Sequence, residues 1–189
     1  YDLRARTYVD ALVQHGKRKN ETRALCTMVD RSSIMNPNTI IIGDRAYEAY
    51  NVLAHIVEKG CKYLIRAKDI TSNGIAKYLN LPDSDEFDSN VILQLTHNNS
   101  SEMKEALPYF RFINKSASFD FLDESNEIYM LKFRVVRFKM SDDNYQLMLT
   151  NLDEKEFPSE EIRKLYQMRW GIETSFRELK YAMGLTAFH

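Results

Sequence analysis

Only two cysteines occur in the 189 residues, Cys26 and Cys61, and neither has a partner at metal-ligand spacing. Both lie in apolar helix-like and strand-like surroundings. They read as free core thiols of a reducing compartment, not as a disulfide framework or a zinc site. Histidine is equally sparse. His15, His55, His97 and His189 show no HxxxH or HxH spacing, so a histidine-built metal centre is not expected. An excess of one charge is also lacking, because 26 Lys and Arg face 27 Asp and Glu for a formal net charge of −1. A dedicated nucleic-acid-binding domain is usually strongly basic, so any binding to a polyanion must come from a local patch. There is no apolar run long enough to span a bilayer, no signal-peptide pattern, no internal repeat and no low-complexity tract. The expectation is a soluble, cytoplasmic chain.

What the sequence does have is apolar bulk. At 44% hydrophobic residues it can bury a core, and one domain with an insertion is the simplest organisation. Tyr1 opens on what reads as a strand end, there is no initiator methionine, and His189 follows GLTAF without a terminal signal. A piece of a longer protein is expected.

Residues 7–14 alternate and carry β-branched and aromatic side chains, which predicts a strand. ETRALCTMVDR has helical periodicity, with Asn20 placed to cap it. TIIIGD is a short continuous apolar run of the kind found in a central, doubly covered strand, and Asp44 stands at its carboxyl end. AYEAYNVLAHIVEK predicts a helix with Ala46, Tyr50, Leu53, Ala54 and Val57 inward, stopped by Gly60. KYLIRAKD follows as a strand. Within 70–126 only NVILQLTH and YFRFI have strand character, whereas residues 129–138 and YQLMLTNL are stronger β runs. Pro158 and Ser159, with Glu160 and Glu161 behind them, open a long final helix. The alternation predicts an α/β mixed sheet flanked by helices. Its divisions are 1–69, a mostly β insertion over 70–143, and 144–189 with the last strand and the last helix.

The segment YQMRWGIETSFRELKYAMGL holds Tyr166, Arg169, Glu173 and Lys180 in the pattern Y-x2-R-x3-E-x6-K. On one straight α-helix these four fall within an arc of about 60°. Leu165, Met168, Ile172, Phe176, Leu179 and Met183 fill an adjoining arc of about 80°, predicted to be buried. Arg169 and Glu173 at i,i+4 could be an ordinary surface ion pair. Asp44 could be a plain helix cap. If the last helix packs on the sheet, however, Asp44 and Glu173 can converge. Two carboxylates without histidine suit Mg²⁺ or Mn²⁺. Arg169 and Lys180 would then hold phosphate oxygens, and Tyr166 could hydrogen-bond a phosphate or stack on a base. Trp170, beside this stripe, reads as a buried anchor rather than a base platform.

YQMRWGIETSFRELK, with LTNL ahead of it, resembles the signature of insertion-sequence DDE transposases of the Y-R-E-K group. IIGDRAYEAYNVLAHIVEKGCKYLIRAKD is similar to the region of their second catalytic aspartate, from its D-R-x-Y start to its R-x-K strand end. The resemblance covers most of the chain and is weakest over 70–126. It implies an RNase H-like fold in which three acidic residues bind two divalent ions, Mg²⁺ or Mn²⁺. Water attack then cuts double-stranded DNA at transposon ends, and the freed 3′-hydroxyl attacks target DNA, with no covalent protein–DNA intermediate. It also implies a homodimer on paired ends in the full-length, nucleoid-associated protein. Carried over, Asp44 is the second metal-binding acid and Glu173 the third. Tyr166, Arg169 and Lys180 take DNA-contacting positions, Arg66 and Lys68 lie near the transposon end, and Arg45 is a weaker contact. Glu21 matches a recurrent position that is left outside the site. The first aspartate of the family lies on a strand that neither Asp2 nor Asp10 occupies. This chain alone is therefore expected to cut weakly or not at all, and a non-catalytic remnant that binds DNA or a partner is the rival reading. A different RNase H-like nuclease would not account for the Y-R-E-K spacing.

Overall fold

The computed structural model describes residues 1–105, 109–124, 127–142, 144–182 and 184, without the side chains of Arg18, Met103 and Lys104. Five helices occur among the described residues: α1 (Glu21–Arg31), α2 (Tyr50–Glu58), the one-turn α3 (Ser101–Glu105), α4 (Ser159–Gln167) and α5 (Trp170–Ala182). Six strands, β1 (Ile40–Gly43), β2 (Lys62–Ala67), β3 (Phe87–Thr96), β4 (Phe110–Phe112), β5 (Ile128–Ser141) and β6 (Asn144–Thr150), form one mixed sheet in the order β1-β2-β6-β5-β3-β4. β1 and β2 are parallel and joined through α2, while β6 runs antiparallel between β2 and β5. This mixed sheet flanked by helices is the α/β architecture expected of an RNase H-like fold.

Strand alternation divides the core between the two faces of the sheet. Tyr63, Ile65 and Ala67 of β2, Leu131, Phe133 and Val135 of β5, and Leu147 and Leu149 of β6 meet α1 and α2 on one face. Leu64, Val136, Phe138 and Met148 point the other way and are covered by Ile162 and Tyr166 of α4, with Ile40 and Ile42 of β1 packed alongside. Cys26 and Cys61 are free and buried, and burial pushes the Cys26 thiol up to about 11. Both thiols are inert packing groups.

α1 begins and ends where its pattern predicts, and the Asn20 side chain accepts from the Arg23 amide at 2.9 Å. Gly60 closes α2 at φ +75°, a left-handed turn that favours glycine. Other expectations change. Residues 7–14 form no strand. They run irregularly across α5 and α1, with Tyr8 bonded to Ser175 (2.8 Å) and Asp10 paired with Arg31. An alternating pattern only becomes a strand when a neighbouring backbone pairs with it, and here side chains make the contacts instead. α2 starts at Tyr50, because the Arg45–Tyr47 stretch is a single 3₁₀ turn capped by Asp44, and Ala46 is exposed. β1 lies at the edge of the described sheet, and Ile40, Ile41 and Ile42 are only half-buried.

The expected single final helix is two helices. Between Tyr166 and Ile172 the backbone tightens to i→i+3 hydrogen bonds, Arg169 N to Tyr166 O (3.1 Å) and Ile172 N to Arg169 O (3.1 Å) among them. Gly171 sits in this junction, where an added Cβ would come within 3.1 Å of Leu3. The bend breaks the straight-cylinder geometry that placed the apolar stripe inward. Met168 (45%), Phe176 (48%) and Leu179 (37%) are exposed, and so is Trp170 (63%), which is not a buried anchor. Met183 lies outside the described residues.

One polar assembly links α1, α2 and the 117–122 loop. His55, almost wholly buried, bonds Asp30 at 2.8 Å through one ring nitrogen and Asp120 at 2.9 Å through the other. Burial works against the charged imidazole, but the hydrogen bonds to Asp120 and Asp30 outweigh it and hold its pKa above the ordinary 6.5. A raised folded value means that this stabilisation is complete below about pH 6.5 and is lost as pH climbs through the folded pKa. Thermal midpoints of the wild type should therefore fall over that rising-pH window, and those of His55→Gln should stay flatter. Parallel curves for the two proteins would sink this assignment.

Candidate active site

Asp44 stands where β1 ends, in extended backbone, and its Oδ1 accepts the Ala46 amide at 2.8 Å. At the preceding Gly43 an added Cβ would lie 2.6 Å from Ile65 Cδ1, so a larger residue there would have to displace that side chain. The β1–β2 register pairs Ile40 with Lys62 and Gly43 with Ile65, so one further step sets Asp44 level with Arg66. Ile40, Ile42 and Leu64 all face α4, and alternation carries Asp44 and Arg66 to that same side. The strand-end aspartate, Arg66 and helix α4 thus share one face of the sheet.

On that face Tyr166 is buried (5%), with its ring among the apolar residues under α4. Arg169, at the junction, donates from Nη2 to Glu173 Oε1 at 2.8 Å, so the i,i+4 ion pair forms. Its guanidinium lies 5.6 Å from the ring centres of both Tyr166 and Trp170. Burial opposes its charge, but the Tyr166 and Glu173 oxygens more than offset this and raise its pKa further, so it remains cationic. Three buried polar atoms here have no hydrogen-bond partner: Arg66 Nε, Tyr166 Oη and Arg169 Nε. Buried donors are normally satisfied, and three orphans on one face suit an absent acceptor such as a phosphate oxygen or water.

The remaining candidates lie further out. Lys180 is exposed in the last turn of α5, Lys68 is exposed just past β2, and Arg45 is exposed in the 3₁₀ turn after Asp44. Glu48 had no place in the sequence reading. It accepts the Lys68 amide at 2.8 Å and the Ile75 amide at 2.7 Å, and so clamps the strand end to the next loop. Its only signal was its place four residues after Asp44. Among the described residues no group of three or more His, Cys, Asp or Glu side chains could hold a metal ion. Asp44 and Glu173 each carry carboxylate oxygens of the hardness that suits Mg²⁺ or Mn²⁺. Asp2 is tied to a local turn and Asp10 to Arg31, so neither supplies a third.

These features, a strand-end aspartate, a cationic strand end and the Y-R-E-K segment over α4 and α5, are joined by a further finding. The family model described as a transposase DDE domain matches residues 1–189. The chain belongs to the transposase DDE domain family. It is a family of transposase enzymes that act on DNA in transposition and recombination and generally use divalent metal ions. No curated protein matches it. No helix among the described residues of this DDE-family chain is long and apolar enough to cross a membrane.

Proposed function

We propose that this chain is the catalytic part of a cut-and-paste transposase that hydrolyses a phosphodiester at transposon ends and transfers the freed 3′-hydroxyl to target DNA. The register that sets Asp44 level with Arg66, on the face covered by Tyr166 with the Arg169–Glu173 pair next to it, supports this reading most strongly. Asp44 and Glu173 would hold Mg²⁺ or Mn²⁺, two ions in the complete enzyme, which when bound activate a water and steady the leaving oxygen. Around them Arg66 and Arg169 present buried donors to phosphate oxygens. Tyr166 offers only its hydroxyl, because its ring is packed. Lys68 and Lys180 track the backbone further along the duplex, and Arg45 lies at the margin. Glu173 keeps Oε2 free of protein partners among the described residues while Oε1 holds Arg169 in place. The segment 70–143 is then the family's β insertion, widening the sheet beyond β6. The functional unit would be a homodimer on paired DNA ends, associated with the nucleoid.

With two of three acids on this face, the chain alone should cleave weakly or not at all. That same observation favours a second reading, a transposase-derived remnant that binds DNA without cutting it. Both predict DNA binding. Anisotropy of a labelled duplex at graded salt should show Arg66→Ala, Lys68→Ala and Lys180→Ala each weakening binding. Each should also lower the slope of log K against log salt by about one. Slopes identical to wild type for all three would sink the interface. Restoring cleavage by supplying an aspartate-bearing first strand would separate the enzyme from the remnant.

A further inference from the structure

A second cluster of cations begins at Lys68 and extends to Lys77 and Arg111, which have no role in the site assigned above. Glu48, Tyr50, Lys68, Asn73, Lys77, Tyr78 and Arg111 are among the residues lining a cleft of about 360 Å³. Its floor is fixed by the Glu48 carboxylate on the Lys68 and Ile75 amides. An added Cβ at Gly74 would lie 2.4 Å from Glu48 Oε1. Lys68 Nζ and Lys77 Nζ rest on the carbonyl and side-chain oxygens of Asn73, at 3.0 and 2.9 Å. Arg111 reaches in from β4 and donates to the Lys77 carbonyl at 2.7 Å, while its Nε is buried without a partner. No carboxylate pairs with these three cations among the described residues, and the one acid in the lining is taken up by backbone amides. The cleft is therefore positive within a chain that is nearly neutral overall.

Tyr78 stands at its rim. It is 61% exposed, and its φ of +69° is a conformation that bulky side chains rarely adopt. Lys77 Nζ lies 5.1 Å from the ring centre and the Arg111 guanidinium 5.7 Å. A strained, exposed aromatic ring with two cations within 6 Å of its centre serves no core. It does combine the two parts of a single-stranded nucleotide site, a stacking platform and phosphate partners.

We infer that Tyr78, Lys77 and Arg111 bind an unpaired nucleotide of DNA, its base on the Tyr78 ring and its phosphates on Lys77, Arg111 and Lys68. The inference rests on the DNA-processing reading and adds to it a place for a strand that has left the duplex. Binding of the whole chain to a blunt duplex, and to the same duplex with a short single-stranded end, tests it by anisotropy. Wild type should prefer the single-stranded end. Tyr78→Gly, which relieves the backbone strain and should not lower the thermal midpoint, should lose about 5- to 150-fold of binding to that end. Its blunt-duplex binding should be retained, and Tyr78→Phe should behave as wild type. Lys77→Ala should weaken the same complex and lower its salt slope by about one. Equal affinity of wild type and Tyr78→Gly for the single-stranded end overturns the inference. If Lys180→Ala still weakens duplex binding in that case, the DNA reading stands without it. If wild type binds neither DNA, both fall.

Discussion

Mn²⁺ is expected to raise the thermal midpoint of this chain, and Asp44→Asn and Glu173→Gln are each expected to abolish most of the rise. A ligand that binds only the folded state stabilises it by about 2.7 kcal/mol at a hundredfold excess over Kd. For a domain of this size that corresponds to roughly 5–11 °C. The substitutions isolate charge from structure. Asparagine at 44 can still accept the Ala46 amide, so the 3₁₀ turn keeps its cap. Glutamine at 173 can still accept from Arg169, so the junction between α4 and α5 keeps its bond. What both lose is the anionic oxygen that a hard divalent ion requires. A shift of the same size in wild type and both variants, read by scanning calorimetry, would mean that the ion binds elsewhere.

Arg134→Ala is expected to cost about 3–5 kcal/mol of stability, the range typical of breaking a buried ion pair by removing one partner. Arg134 is only 2% exposed in the middle of β5. Its Nε donates to Asp88 Oδ1 at 3.0 Å and its Nη2 to Asp88 Oδ2, while Nη1 reaches the Leu152 and Phe157 carbonyls, each at 3.0 Å. Ser159, the first residue of α4, donates to the same aspartate at 2.7 Å. The clasp thus joins β3 and β5 to the turn that launches α4, and removing it strands a carboxylate and two carbonyls in the interior. Because α4 carries Tyr166 and leads into Arg169 and Glu173, the loss should reach the candidate site as well. Chemical denaturation of Arg134→Ala and of the double variant Arg134→Met/Asp88→Asn gives the check. The double variant should recover part of the loss. A single variant within about 0.5 kcal/mol of wild type would show that the clasp contributes little.

Much of this was legible in local pattern. Helix α1 with its Asn20 cap, Gly60 closing α2, the strand ending at Asp44 and the β runs of the insertion depend on neighbours within a few residues, and the sequence displays those directly. Residues 7–14 failed the same reading because a strand needs a pairing partner that lies elsewhere in the chain. Trp170 and Phe176 failed it because helical periodicity assumes a straight axis, and the i→i+3 turn at Met168–Arg169 swings their side of α5 into solvent. Neither the Glu48 clamp nor the Arg134 clasp leaves a signature in sequence, since their partners are 18 to 46 residues away.

By itself, then, the sequence determined the class of fold and the family signature, because both are written in spacing along short stretches of chain: a D-R-x-Y strand end and a Y-R-E-K segment. Tertiary structure alone decided what those elements face. Parallel register set Asp44 beside Arg66, the packing of α4 on the sheet buried the signature tyrosine while the tryptophan past the junction stayed exposed, and the folding of a distant loop against β4 drew Lys77, Tyr78 and Arg111 together. Those outcomes depend on which backbones pair and which surfaces pack, and such long-range choices minimise the free energy of the whole chain rather than that of any one segment.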